Sequence, residues 1–241
     1  CPHEMDVYLQ RFRLRARLAP SERGAVLSLS QRDGAGTGIA LLPFAESCFS
    51  VSGNTVTGYT DSQSIWNFKR IREYFYISLS KVPKCVQLAK ECWEGYLSRI
   101  QVSGENASRK RTFYSCFYRA LLYPRKFYEY DEAGMPVHFN ADTGRTERGV
   151  FYTDNGFWDT YRTVYPFLSI IAPELVREMV EGFVNYSEET GWLPRWLSPG
   201  EIGLMPGRLI EAVIADACVK GIVTGDLRKR AYRAMLRNAF E

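Results

Sequence analysis

The chain has 241 residues, 46% of them hydrophobic and 14% aromatic, enough to fill one large core or two smaller ones; such a composition excludes a disordered polymer. A net charge of +4, from 31 basic and 27 acidic residues, gives no case for nucleic acid as a partner. No apolar run approaches the roughly 18 residues of a membrane-spanning helix.

Residues 1–82 carry the signature of short strands. Phe12, Leu14, Ala16 and Leu18 alternate with Arg11, Arg13, Arg15 and Arg17, the period of two that half-buried strands require. Further short apolar runs follow at Ala25–Leu29, Ile39–Leu42, Thr55–Tyr59 and Tyr74–Leu79. Turn residues separate them, among them Asp33-Gly34, Gly36, Gly38 and Gly53-Asn54. Short strands at regular spacing predict a β-sandwich or barrel.

From about Lys84 the period becomes helical. Ala89, Cys92, Trp93, Tyr96, Leu97 and Ile100 form one stripe, and a second helix over about Ser108–Tyr123 turns Phe113, Cys116, Phe117, Ala120 and Leu121 inward before Pro124 stops it. After a long loop, a third helix is expected over about Phe157–Ile171. A fourth opens at Pro173 and buries Leu175, Val176, Met179, Val180 and Phe183, with Gly191 as its cap. A fifth buries Leu209, Ile210, Val213, Ile214 and Ala217, and a sixth follows Asp226 as N-cap. No strand signal stands out among these helices, so this part reads as all-α.

The six cysteines, Cys1, Cys48, Cys85, Cys92, Cys116 and Cys218, are widely spaced with no CxxC pair, and Cys92, Cys116 and Cys218 fall on apolar helical faces; their disulfide status stays open. With only His3 and His138, a multi-histidine metal site within the chain is not expected.

The chemistry concentrates in two loops, Asp154–Arg162 and Gly191–Gly207, on either side of the fourth helix. Both are dense in Trp, Asp, Arg, Pro and Gly, the residues that build a carbohydrate pocket from indole faces and charged hydroxyl partners. Glu201, on the Ser198-Pro199-Gly200-Glu201 turn near Trp192 and Trp196, reads either as a general acid raised in pKa by apolar neighbours or as a solvent-facing loop glutamate. Trp158, Trp192 and Trp196 are sugar platforms or core. Asp154 is an N-cap for the helix that follows, Asp159 a ligand contact or the ion-pair partner of Arg162. Arg195 binds a hydroxyl, orients Glu201 or makes a structural ion pair, and Asp216 is structural.

At these residues the chain resembles the calcium-dependent α-mannosidases of glycoside hydrolase family 92. Val7-Tyr8-Leu9 followed by Ala16–Gly24 is similar to the family's first strand pair, and Phe113–Pro124 (FYSCFYRALLYP) to one of its helices. Trp158–Arg162 (WDTYR) looks like a family hallmark, and Gly191–Met205 (GWLPRWLSPGEIGLM), with Ala215-Asp216 and Lys220-Gly221-Ile222 beyond it, is similar to the segment bearing the catalytic acid. The chain departs from the pattern at Leu209, where many members have His.

The resemblance implies an α+β multidomain fold: a β-sandwich over residues 1–82, incomplete at its start, a linker helix over 83–104 and the first half of an (α/α)6 barrel over 105–241. It implies inverting hydrolysis of terminal α-mannosides in glycan degradation, assisted by calcium, with Glu201 as acid and Trp158, Asp159, Arg195 and Trp196 on the sugar. The base, an aspartate pair, and most calcium ligands are expected beyond Glu241, which leaves this chain inactive in isolation. The implied partners are a mannose-containing oligosaccharide and the missing C-terminal half; the implied location is extracellular or periplasmic. The alternatives are a non-catalytic carbohydrate-binding remnant or another (α/α)6 inverting glycosidase.

Overall fold

The computed structural model describes residues 4–10, 14–20, 25–31, 47–63, 70–78, 84–205 and 207–240. The elements are, in order, strands β1 (Met5–Leu9), β2 (Leu14–Pro20), β3 (Ala25–Gln31), β4 (Ser47–Ser52), β5 (Thr55–Gln63) and β6 (Arg70–Ser78), then helices α1 (Lys84–Leu97) and α2 (Ala107–Ala120). Short strands β7 (Arg125–Lys126), β8 (Glu129–Tyr130), β9 (Pro136–Asn140), β10 (Arg145–Arg148), β11 (Tyr152–Thr153) and β12 (Asn155–Gly156) follow. Helices α3 (Phe157–Thr160), α4 (Val164–Ile171) and α5 (Pro173–Thr190), strand β13 (Trp196–Leu197) and helices α6 (Ile210–Val219) and α7 (Gly225–Phe240) complete the chain. A β-rich N-terminal region followed by helices is the fold class expected from the sequence.

Two compact units emerge: Cys1–Ser62 with Arg72–Tyr118, and Gln63–Ile71 with Arg119–Glu241. In the first, β1-β2-β3 and β4-β5-β6 each form a three-stranded sheet. β2 pairs antiparallel with both neighbours, setting Val7 opposite Ala16 and Ala16 opposite Leu29. The alternation holds: Ala16 is buried, while Arg15 and Arg17 are exposed and ion-paired to Asp6 and Glu4. Asn106 starts α2, its side chain accepting from the Arg109 N–H at 3.0 Å. The expected strand at Ile39–Leu42 lies outside the described residues. Cys92 and Cys116 are exposed rather than packed, so the apolar stripes of α1 and α2 run through their aromatic residues instead: Phe117 is buried and Trp93 stacks edge-on against Tyr118 at 4.7 Å.

The second unit is built around α5. Pro173 opens it, Val176, Met179, Val180, Phe183 and Val184 are buried along it, and Gly191 ends it in the left-handed conformation at φ 96°. Each of these side chains contributes about 1.5–3 kcal/mol by leaving water. Helices α4, α6 and α7 pack on α5, and Leu168, Ile210, Ile214, Ala217 and Ala231 complete the core.

Three local expectations are corrected. The helix expected over Phe157–Ile171 is two helices, because Pro166 has no N–H to give the carbonyl one turn back and is tolerated only in the first turn of a new helix, α4. The region is not free of strands: β9 and β10 form a hairpin setting His138 opposite Glu147 and Asn140 opposite Arg145, with β8 as its third strand. Asp226 does not precede α7 but sits in its first turn, where a negative charge complements the helix dipole.

Candidate active site

A two-residue ladder joins the two sequence-predicted loops. β12 pairs antiparallel with β13, setting Asn155 opposite Leu197 and Gly156 opposite Trp196. Side chains reinforce the seam: Thr153 Oγ1 donates to the Pro199 carbonyl at 3.0 Å, and Ser198 Oγ donates to Asp154 Oδ1 at 3.0 Å. Trp196 lies so close across Gly156 that a Cβ there would sit 2.7 Å from its Cδ2, so only glycine admits the indole. Trp158 follows β12 by two residues, and Glu201 returns from the turn after β13 to pair with Leu197.

Asp154 does not cap α3. It adopts φ 57°, pairs with the Arg125 guanidinium and accepts from Ser198, while Gly156 takes the N-cap position with no side-chain bond. Asp154 and Met205, at φ 70°, are the non-glycine residues with positive φ among the described residues, and both belong to these loops. Such conformations cost about 1–3 kcal/mol each and gather where a site must be held in shape.

Glu201 is fixed by main-chain donors. Its Oε2 accepts from the N–H groups of Arg195 at 2.6 Å and Trp196 at 3.3 Å, and its Oε1 from Gly203 N–H at 2.8 Å. Glu201 also bridges Leu197, and the Ile202 N–H returns to the Trp196 carbonyl at 3.0 Å. Between the two sequence alternatives, the structure shows a half-buried carboxylate that accepts from three main-chain N–H groups. Oε2 has both lone pairs occupied; Oε1 keeps one, so Oε1 is the oxygen with room for a proton. Arg195 orients Glu201 through its backbone, and its side chain is exposed.

Trp158 and Asp159 lie at the surface. Trp158 is 43% exposed with the Arg162 guanidinium 5.6 Å from its ring centre, and Asp159 meets Arg162 at 3.3 Å. The sequence alternatives for Asp159 are compatible here, since its ion pair leaves it open to a ligand. Trp192 is 46% exposed and Trp196 half-buried in the seam. Asp216 pairs with Lys220 at 2.6 Å along α6.

Sequence reasoning missed Asp142, in the β9–β10 turn. Its Oδ2 accepts from the Glu201 N–H at 2.8 Å and from the Tyr186 hydroxyl at 2.6 Å. Burial, then the charge of Glu201, pushes the Tyr186 phenol well above its ordinary range and keeps it a donor. Asn140-Ala141-Asp142-Thr143-Gly144 reads in sequence only as a turn, with no signal of a partner 59 residues away. Among the described residues no group of three or more His, Cys, Asp or Glu side chains is placed to hold a metal ion, and they do not fit the oxygen-rich shell of calcium.

Residues 76–241 match the sequence model of the glycosyl hydrolase family 92 catalytic domain. Among solved structures, the chain is similar to a family GH92 inverting mannosidase from Bacteroides thetaiotaomicron VPI-5482, 26% identical with a TM-score of 0.74 over 98% of this chain and 41% of that one. It is also similar to a family GH92 α-mannosidase from Bacteroides thetaiotaomicron, 18% identical, with a TM-score of 0.75 over 100% of this chain and 43% of that one. The complex of that α-mannosidase with mannoimidazole is again 18% identical, with a TM-score of 0.70 over 100% of this chain and 42% of that one. At 18% identity these last two matches speak for the fold alone. No curated protein matches the chain. The chain spans about two fifths of the length of these solved relatives. With well over half of its residues matched by the catalytic-domain model, the chain belongs to glycosyl hydrolase family 92.

Proposed function

We propose that this chain forms the acid-bearing part of a site that hydrolyses terminal α-mannosides with inversion, and that Glu201 is the general acid. What supports the reading is the catalytic-domain match over residues 76–241 together with the place of Glu201 in the Gly191–Met205 segment, on a turn paired to the seam that precedes Trp158. In the reaction, water attacks the anomeric carbon as the bond to the leaving oxygen breaks. Glu201 Oε1 gives its proton to that oxygen, and a second carboxylate takes the proton of the water from a distance of about 6.5–9.5 Å. Trp158 and Trp196 supply apolar faces for the sugar, and Asp159 and Arg195 bind hydroxyls.

The base is assigned to residues outside this chain, as are the calcium ligands, so the isolated 241 residues are expected to release little mannose. Export to the periplasm or cell exterior belongs to the same reading and is tested by cell fractionation. The test of the acid is mannose release from α-mannobiose, with calcium, by the full-length protein and its Glu201→Gln variant. A loss of about 100- to 10,000-fold is expected; a wild-type rate rejects the assignment.

One observation favours a second reading, a non-catalytic carbohydrate-binding remnant. The bonds that hold Glu201 also make it a staple for its own loop, a role that needs no chemistry. Mannose binding by calorimetry with no turnover by the full-length protein selects that reading; a substrate panel that includes α-glucosides tests whether the enzyme is instead another inverting glycosidase.

A further inference from the structure

We infer that Asp142 is a positioning residue for Glu201, an inference that rests on Glu201 being the acid. Asp142 touches the Glu201 main chain, not its carboxyl group: its Oδ2 accepts the Glu201 N–H at 2.8 Å. It fills the space beside Gly200 as well, where a Cβ would fall 2.7 Å from Oδ2 and 3.1 Å from Oδ1. The turn that carries the acid therefore folds around this carboxylate.

Asp142 can act in this way because it is held from behind. The Tyr186 hydroxyl donates to the same Oδ2 at 2.6 Å, and Tyr186 is 3% exposed on α5. The Asn140 side chain accepts from the N–H groups of Asp142 at 2.9 Å and Thr143 at 3.1 Å, fixing the hairpin turn. Asn140 Nδ2 in turn donates to Glu189 Oε2 at 2.7 Å, and that oxygen also meets His138 Nε2 at 3.1 Å. His138 Nδ1 lies 2.9 Å from the Gly149 carbonyl and its ring stacks on Phe151 at 4.8 Å. Asn140 and His138 are buried. Tyr186 and Glu189 both belong to α5, the most buried helix of the unit, so the hairpin passes the rigidity of α5 to the acid turn.

A general acid must meet the leaving oxygen at hydrogen-bond distance, and a misplacement of about 1 Å can cost about 100-fold in rate. Losing Asp142 releases the one side-chain anchor on the Glu201 N–H and lets the turn, still tied to β13, shift the direction of the Glu201 carboxyl group. Substrates that need protonation suffer, whereas one whose leaving group departs as a stable anion does not.

The test compares Asp142→Ala and Asp142→Asn in the full-length protein on α-mannobiose and on 2,4-dinitrophenyl α-mannoside. Asp142→Ala is expected to lower kcat on mannobiose by about 100-fold with little change in KM, and to leave the dinitrophenyl substrate near the wild-type rate. Asp142→Asn keeps an acceptor oxygen for both donors and is expected to recover most of the loss. Equal losses on both substrates, or none on either, overturn the inference. The dinitrophenyl rate and a thermal melt report whether each variant has folded. Glu201→Gln is measured alongside: if it shows no leaving-group dependence, the acid reading fails, and if it shows it while Asp142→Ala does not, only the role of Asp142 fails.

Discussion

Glu201, on the turn after β13, and Asp159, in the short helix after β12, are held in opposite ways. Glu201 has three main-chain donors on its carboxyl group and a fourth contact from its own N–H to Asp142. Asp159 is mostly solvent-exposed and has an ion pair to Arg162 three residues on. Main-chain donors cannot rotate away as a side chain can, so the direction of the Glu201 carboxyl group is fixed. A side-chain pair at the surface contributes little and can exchange for a ligand. The two carboxylates thus differ in how freely they can change partners: Glu201 is held by main chain, Asp159 by one exposed side chain.

The contrast is broken most severely at Gly200. Gly200→Ala pushes a methyl group into Asp142 and is expected to lower mannobiose hydrolysis by the full-length protein about 100-fold while the fold persists, as read by kinetics and circular dichroism. Next comes alkaline pH. Burial raises the phenols of Tyr165 and Tyr186 above their ordinary value of 10.0, so stability is complete below about pH 10 and falls above it, where the unfolded chain ionises first. The slope is about 1.4 kcal/mol per pH unit for each such tyrosine, and Tyr186→Phe flattens a plot of Tm against pH.

Tyr165 sharpens the picture on the binding side. It stacks on Phe157 at 5.9 Å beneath the Trp158 turn, and its buried hydroxyl has no hydrogen-bond partner among the described residues. Tyr165→Phe is therefore expected to stabilise the protein by about 1 kcal/mol in urea unfolding. The smallest effect belongs to Asp159→Asn, which removes an exposed pair and shifts stability by less than about 0.5 kcal/mol. Its effect on the enzyme falls on KM for mannobiose; a loss confined to kcat breaks the comparison.

What was legible in the sequence was local or carried by a contiguous motif. Pro173, the buried stripe and Gly191 marked out α5 because each acts within a turn or two of its own position. The two loops stood out by composition, and their motifs pointed to the family. The failures at the site depended on partners far along the chain. Asp154 looked like an N-cap because the sequence shows the helix after it but not Arg125 or Ser198. Asp142 was invisible for the same reason, as a turn residue whose work is done on Glu201. The break at Thr163 was legible in Pro166, whose missing N–H outweighs the apolar periodicity around it.

The seam between β12 and β13 is only two residues long on each side. A ladder this short has few main-chain bonds of its own and leans on the Thr153 and Ser198 side-chain bonds, so it is expected to open more readily than α5. The amides of Asn155 and Leu197 should therefore take up deuterium well before those of Val180 and Phe183 deep in the core.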